Sequence, residues 1–510
     1  MGEPGMRLAH WARVQPDVLA VRSSTGDRTF GELNANANRL ARALRVRGLR
    51  DGDAVAIVCG NRPEFAEVVH ACLRAGLRYT PVNWHLTADE VAYIVDDCQA
   101  KALFGDARFT ELMTQVAALS PHATVRLAIG GEIGGFESYD AAIAEQGGND
   151  IEDPKSGYRM LYTSGTTGKP KGVVRPLNYS TGLTGLTSAP QYGPGKGQLH
   201  LCAGPMHHGG PLVYSMVVPI SQGVGTVLMD KWDAAEALRL IERHRITHTH
   251  MVPTMFHRLL RLPEEMRLAA DISSMQYIAH GAAPCTVGTK KGMIEWFGPI
   301  LWEYYAATEG GGASVGPVEW LEKPGTVGKP ITEDHVQIVD DDGNACPPNQ
   351  PGTIYLKVLP DSDFEYFNDP VKTRAAHRGT HFTVGDVGYL DDDGFLFLTD
   401  RSADLIVRGG VNIYPAEVEA VLLQHPAVRD AAVVGVPSAE WGEEVKGVVG
   451  RASHEPPPEL ERELMELCRA RLAGFKCPQS IDIVERLPRS DNGKLYKRRL
   501  REQYRGGTDA

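Results

Sequence analysis

No stretch of this 510-residue chain approaches the ~18 consecutive apolar residues that a membrane-spanning helix needs. The opening MGEPGMRLAHWARVQ also lacks the apolar segment of a signal peptide, so the expected location is the cytoplasm. Basic charge is in short supply as well. Lys and Arg number 53 against 64 Asp and Glu, a formal net charge of −11, which argues against a general nucleic-acid-binding surface. A polyanion would have to be held at one local site, and a compact nucleotide suits that better than a duplex. The eight cysteines are scattered without a C-x-x-C pair, which excludes a disulfide framework and fits buried, reduced thiols. No internal repeat of fixed period is present, and SHEPPPEL reads as a solvated loop.

What remains is a globular composition, 42% hydrophobic and 23% charged, on a chain too long for one ordinary core. The first half alternates helices and strands. RTFGELNANANRLARALRVRG carries Leu33, Leu40 and Leu44 at helical spacing and stops at Gly48; AVAIVCG follows as a buried strand, and EFAEVVHACLRAG as a helix. RYTPVN, ALFG, GTVLMD and THTHMVP continue as strands, with the helix DAAEALRLIERHR between the last two. This rhythm predicts an α/β fold, a large N-terminal domain of mainly parallel sheets with helices on both faces. From about residue 320, GTIYLKV and GYLDDDGFLFLTDR alternate at period two around Gly and Asp turns, which predicts an antiparallel, β-rich subdomain. A small α+β C-terminal domain is expected over 402–510, after an N-terminal domain of 1–401. Its elements are the helices PAEVEAVLLQHP and ELERELMELCRARLAG and the strands DAAVVGVP and SIDIVERLP.

The stretch YTSGTTGKPKG stands out for its glycines, hydroxyls and lysines directly after an apolar run. It does not have Walker spacing, because Gly165 is followed by only two residues before Gly168 and Lys169. Its glycines let backbone N–H groups curl around phosphate oxygens, while Thr163, Ser164, Thr166 and Thr167 add hydroxyl donors and Lys171 a point charge. Further motifs follow in order: PMHH at 205–208, HGAAP at 280–284, YYAATEG at 304–310, GDVGYLDDDGFLFLTDRSADLIVRGGVNIYPAEVE at 385–419 and LPRSDNGKLYKRRLR at 487–501.

Together these resemble the acyl- and aryl-CoA synthetases of the adenylate-forming superfamily, nearly end to end. The resemblance implies ATP, Mg2+ and coenzyme A as co-substrates and cofactor, a small carboxylic acid as substrate, and a site assembled from these motifs. Gly165 and Gly168 belong to its phosphate loop, and Gly281, Ala282, Ala283 and Pro284 to its adenine-side loop. Tyr305 is implied as the ring against adenine, with Tyr304 beside it a core residue. Thr308 is implied as a phosphate contact, and Glu309 as the magnesium carboxylate. Asp386 and Arg401 are the implied ribose contacts, Asp386 as an acceptor-only group. Lys494 is implied as the catalytic lysine that bridges carboxylate and α-phosphate, and Gly409 and Gly410 as the segment presented to CoA. His208 matches the histidine that closes the acid pocket. Gly209, Gly210 and Pro211 follow it and are expected to leave room for a bulky or ring-bearing acid.

The sequence departs from the family at two points. Leu212 stands where fatty-acyl members often carry a Trp gate, and Ala403 stands where the pivot between two domain arrangements is commonly Asp or Lys. The expected activity is an AMP-forming carboxylate–CoA ligase acting on a fatty or related acid. Alternatives are an aryl or polycyclic acid, transfer to an acyl-carrier protein, or a nucleotide-binding module without catalysis. A monomer and a homodimer are both left open.

Overall fold

The computed structural model describes residues 5–163, 170–175, 192–193, 197–340, 342–359, 362–401, 404–408, 411–438, 441–453, 455–472, 474–489 and 495–505. Two large sheets dominate the N-terminal part. The first has six strands, all paired in parallel, in the order Glu137–Ser138, Val125–Ile129, Ala100–Asp106, Ala54–Val58, Arg78–Pro81, Tyr158–Arg159. The second has nine strands, and its central six run parallel: Leu301–Ala306, Tyr277–His280, His248–Met251, Leu199–Cys202, Gly225–Leu228 and Leu19–Ser23. Antiparallel strands close it at both edges.

Local sequence explains the elements. Thr29 caps the helix Phe30–Val46 by accepting from the Glu32 N–H, while the Glu32 carboxylate accepts from the Thr29 N–H. Thr87 and Glu90 repeat this reciprocal pair at Ala88–Asp97. The helix Pro63–Ala75 is buried at every position, so it lies inside the domain rather than on its surface, and it ends on Gly76 at φ 76°.

A three-stranded sheet of Leu161–Thr163, Lys171–Val174 and Glu365–Tyr366 and a six-stranded antiparallel sheet around Gly352–Lys357 complete this part. The C-terminal unit has its own five-stranded sheet and its own core around Val418, Leu422, Val433, Val445, Leu464 and Ile481. Its central strand, Gly442–Arg451, pairs with Val428–Ser438 on one side and Ser480–Val484 on the other. The sequence reading includes no strand there, because glycines and charges interrupt its valines.

The two parts touch in this arrangement. The Arg261 guanidinium donates to the Val428 carbonyl. Among the described residues no helix is long and apolar enough to cross a membrane, and all eight cysteines are free thiols.

Candidate active site

Four neighbouring parallel strands of the nine-stranded sheet end at one cavity. Beyond Leu199–Cys202 come His207, His208 and Gly209; beyond His248–Met251, Val252; beyond Tyr277–His280, Ala282; and beyond Leu301–Ala306, Ala307, Thr308 and Glu309. The lining also includes Val82 and Asn83, which follow Arg78–Pro81 of the six-stranded sheet. Carboxyl ends of parallel strands are where open α/β sheets hold ligands, since the strands stop together while their loops diverge. The cavity measures about 660 Å³.

One end is charged. The Glu309 carboxylate, 7% exposed, accepts a hydrogen bond of 2.8 Å from the Tyr366 hydroxyl. The Lys171 ammonium sits over the same Tyr366 ring, 4.8 Å from its centroid. Burial holds the Lys171 pKa below its usual value, and the Lys372 charge lowers it further, against the attraction of Asp369 and Glu309. Arg175 donates to the Thr308 carbonyl at 3.1 and 2.8 Å, anchoring the chain before Glu309. Lys171 reaches this end because its strand pairs with both Leu161–Thr163 and Glu365–Tyr366.

The other end is lined by rings. The Tyr304 hydroxyl lies 2.7 Å from His250 Nε2, and the Tyr304 ring stacks on Tyr214 at 4.9 Å. Burial drives the His250 pKa down to about 4, so the ring is neutral near pH 7. His207 and His208 face each other at 4.4 Å, and burial followed by the neighbouring His208 keeps His207 well below the usual histidine range. Tyr304 is therefore buried, as a core residue would be, and also part of the cavity wall.

The glycines do not simply leave space. A Cβ on Gly210 would fall 2.7 Å from His250 Cε1, so the missing side chain is replaced by the imidazole rather than by open volume. On Gly209 it would meet Leu161 Cδ1 at 3.0 Å. Gly209, Gly210 and Pro211 all line the cavity, while the place of a Gly210 side chain is taken by His250.

The ribose candidates also come together. Strand Asp386–Leu390 pairs with Leu396–Arg401 so that Asp386 stands opposite Arg401, converting an offset of fifteen residues into a cross-strand pair. The Tyr305 hydroxyl donates to Asp386 Oδ2 at 2.7 Å, and its ring packs in the cluster with Leu356 and Phe382. In the adenine-side loop Ala282 adopts φ 65°, a strained value for alanine, and lines the cavity. A Cβ on Gly281 would lie 2.6 Å from the Tyr304 carbonyl oxygen, a close approach that only glycine allows. Ala283 is half-buried and Pro284 exposed. Thr163 lines the cavity beside Lys171.

Ser164, Gly165, Thr166, Thr167, Gly168, Ala403, Gly409, Gly410 and Lys494 lie outside the described residues, as does the side chain of Arg401. Flanking Lys494, Arg489 and Leu495 pair as an antiparallel bridge, and Tyr496 lines the cavity. Sequence reasoning missed Tyr366, Lys372, Arg175 and His250. None belongs to a recognisable motif, and only the folded chain brings them to the cavity.

Comparison with known proteins adds the following. Residues 8–358 match the AMP-binding enzyme family, and residues 417–494 match the AMP-binding enzyme C-terminal domain. A fatty acid–[acyl-carrier-protein] ligase, ScoC of Streptomyces coeruleorubidus, is 31% identical over 97% of this chain and 95% of its own length. The long-chain-fatty-acid–CoA ligase FadD13 of Mycobacterium tuberculosis is 32% identical, covering 98% of each chain. The structure of o-succinylbenzoate CoA synthetase from Bacillus subtilis with its acyl-adenylate intermediate superposes with a TM-score of 0.81 at 30% identity, over 98% of each chain.

Proposed function

We propose that this chain, which belongs to the AMP-binding enzyme family, is an ATP-dependent, AMP-forming carboxylate–CoA ligase whose two ends of one cavity receive the triphosphate and the acid. The observation that carries the reading is the junction of those ends. Glu309, fixed by Tyr366, and Lys171, over the same ring, share one cavity with a ring-lined pocket.

In the first step a carboxylate oxygen bonds to the α-phosphorus. The bond from that phosphorus to the bridging oxygen breaks, and pyrophosphate leaves with the electron pair. In the second step the sulfur of CoA attacks the acyl carbon, its proton passes to solvent, and AMP leaves with the former carboxylate oxygen. Glu309 suits a magnesium ion that arrives with the nucleotide. It is a hard, nearly buried oxygen donor at the charged end of the cavity, and would hold such an ion together with the phosphates. Such an ion would neutralise phosphate charge.

In this reading Thr163, Lys171, Thr308 and the loop 164–169 bind the phosphates, Tyr305 and Ala282 flank the adenine, and Asp386 with Arg401 holds the ribose. His208 and Tyr304 border the acid. Burial keeps His250 and His207 neutral at that end, so neither supplies a cation to the acid's carboxylate, and Lys494 would take that task. Two anions ~4 Å apart at an effective dielectric of 20 repel by about 4 kcal/mol, roughly a thousandfold in rate. Tyr496 at the cavity wall supports delivery of Lys494 by the domain 402–510, which swings against 1–401. Gly409 and Gly410 would serve the thioester step.

The stacked Tyr214 and Tyr304 rings favour a ring-bearing acid over a long flexible chain. The free thiols support a cytoplasmic setting. The test is acid-dependent pyrophosphate release over a panel of aliphatic and aromatic acids, with and without CoA. Continuous turnover only with CoA is expected. Turnover that needs a carrier protein instead would replace the acceptor, and no turnover with any acid would sink the ligase reading.

A further inference from the structure

Lys372 lies in the first turn of the helix Pro370–Ala376, on the chain that leaves strand Glu365–Tyr366. That placement returns it to the charged end of the cavity, which it lines together with Lys171. Its ammonium contacts Asp369 Oδ2 at 2.9 Å, and the Asp369 carboxylate also accepts from the Lys372 N–H at 3.0 Å. An i,i+3 pair 39% and 29% exposed stabilises a fold little, so it does not by itself explain a lysine on this wall. Meanwhile Lys171 is held with a like charge as neighbour, and the repulsion is large enough to lower its pKa after burial has done so. Glu309, the other carboxylate at this end, accepts from the Tyr366 hydroxyl through Oε1. Two ammonium groups on one cavity wall, close enough for the charge of one to act on the other, make a seat for a polyanion.

We propose that Lys372 is a second phosphate-binding lysine, which with Lys171 grips the β- and γ-phosphates of ATP and the pyrophosphate formed from them. The inference rests on the ATP-dependent reading above. It implies discrimination: states that carry pyrophosphate are held by both lysines, and the AMP-bearing states that follow are not.

Binding is measured by titrating the full-length protein with magnesium pyrophosphate, MgATP and AMP. K372A should weaken pyrophosphate and MgATP about tenfold, ~1.4 kcal/mol, and AMP less than about twofold, while K372R restores most of the loss. D369N removes the partner charge and keeps a side chain able to cap the helix, so it should bind pyrophosphate at least as tightly as wild type. Unchanged pyrophosphate affinity in K372A, an equal loss for AMP, or a D369N loss matching that of K372A overturns the inference, since each is what a merely structural ion pair would give. Wild-type protein that binds neither MgATP nor pyrophosphate overturns the ligase reading, and this inference with it.

Discussion

Replacing Gly210 by alanine adds one methyl group at a tightly packed point of the cavity's acid end. Its Cβ would lie 2.7 Å from His250 Cε1 and 3.1 Å from Nε2, against the ordinary 3.5–4.0 Å between carbon atoms. The imidazole is 2% exposed and cannot swing into solvent. Clearing the methyl requires a ring shift of roughly 1 Å, which would stretch or break the 2.7 Å contact between His250 Nε2 and the Tyr304 hydroxyl. Overpacking costs about 1–3 kcal/mol and a lost hydrogen bond about 1 kcal/mol, so G210A should destabilise by about 2–4 kcal/mol. Urea unfolding of the two proteins reads this directly. Because the shifted groups border the proposed acid pocket, KM for the acid should rise several-fold while KM for ATP holds. A G210A protein as stable as wild type, with unaltered acid kinetics, would mean that Gly210 is not packed against His250 as described.

The remaining predictions concern charge and domain movement. E309Q should lower adenylation at physiological magnesium and recover in part as magnesium is raised; an unchanged magnesium dependence would remove Glu309 from the metal role. His248 and His250 are held to pKa values of about 4 by burial, against an ordinary 6.5. The unfolded chain therefore takes up protons near pH 6.5 that the folded one refuses until about 4. Stability is complete above that range and is lost as pH falls through it, by about 3 kcal/mol per histidine. Urea unfolding at pH 7, 6 and 5 should show this slope, and H248Q should flatten it. K494A should nearly abolish adenylate formation yet spare thioester formation from pre-made acyl adenylate, and G409L should do the reverse. Proportional loss of both half-reactions in both folded variants would contradict the two-arrangement account.

The legible parts of the fold were those where one segment carries its own signal. The helix ending at Gly76 and the strand Ala54–Val58 are bounded by their own residues. So are the period-two strands at Gly352–Lys357 and Leu396–Arg401. Gly442–Arg451 was not legible, since it is a strand by virtue of partners on both sides rather than by an apolar run of its own. The site divides in the same way. Thr308 and Glu309 stand in a contiguous motif, and Asp386 and Arg401 are joined by the register of one hairpin. Tyr366, which fixes Glu309, comes from 57 residues away, and the His250–Tyr304 contact spans 54. Such pairings exist only once the sheets have assembled. Gly210 lines the cavity, but its contact with His250 was not legible for a related reason: a glycine in a sequence shows that a side chain is missing, but not which neighbour takes its place.

The central claim is that the acid's own oxygen attacks the α-phosphorus. Supplying a turned-over acid labelled with 18O in both carboxylate oxygens, together with unlabelled ATP and CoA, tests it by mass spectrometry of the products. The account predicts one 18O atom in each AMP, none in pyrophosphate and one in the acyl-CoA. Label in pyrophosphate or inorganic phosphate, or AMP without label, would contradict it.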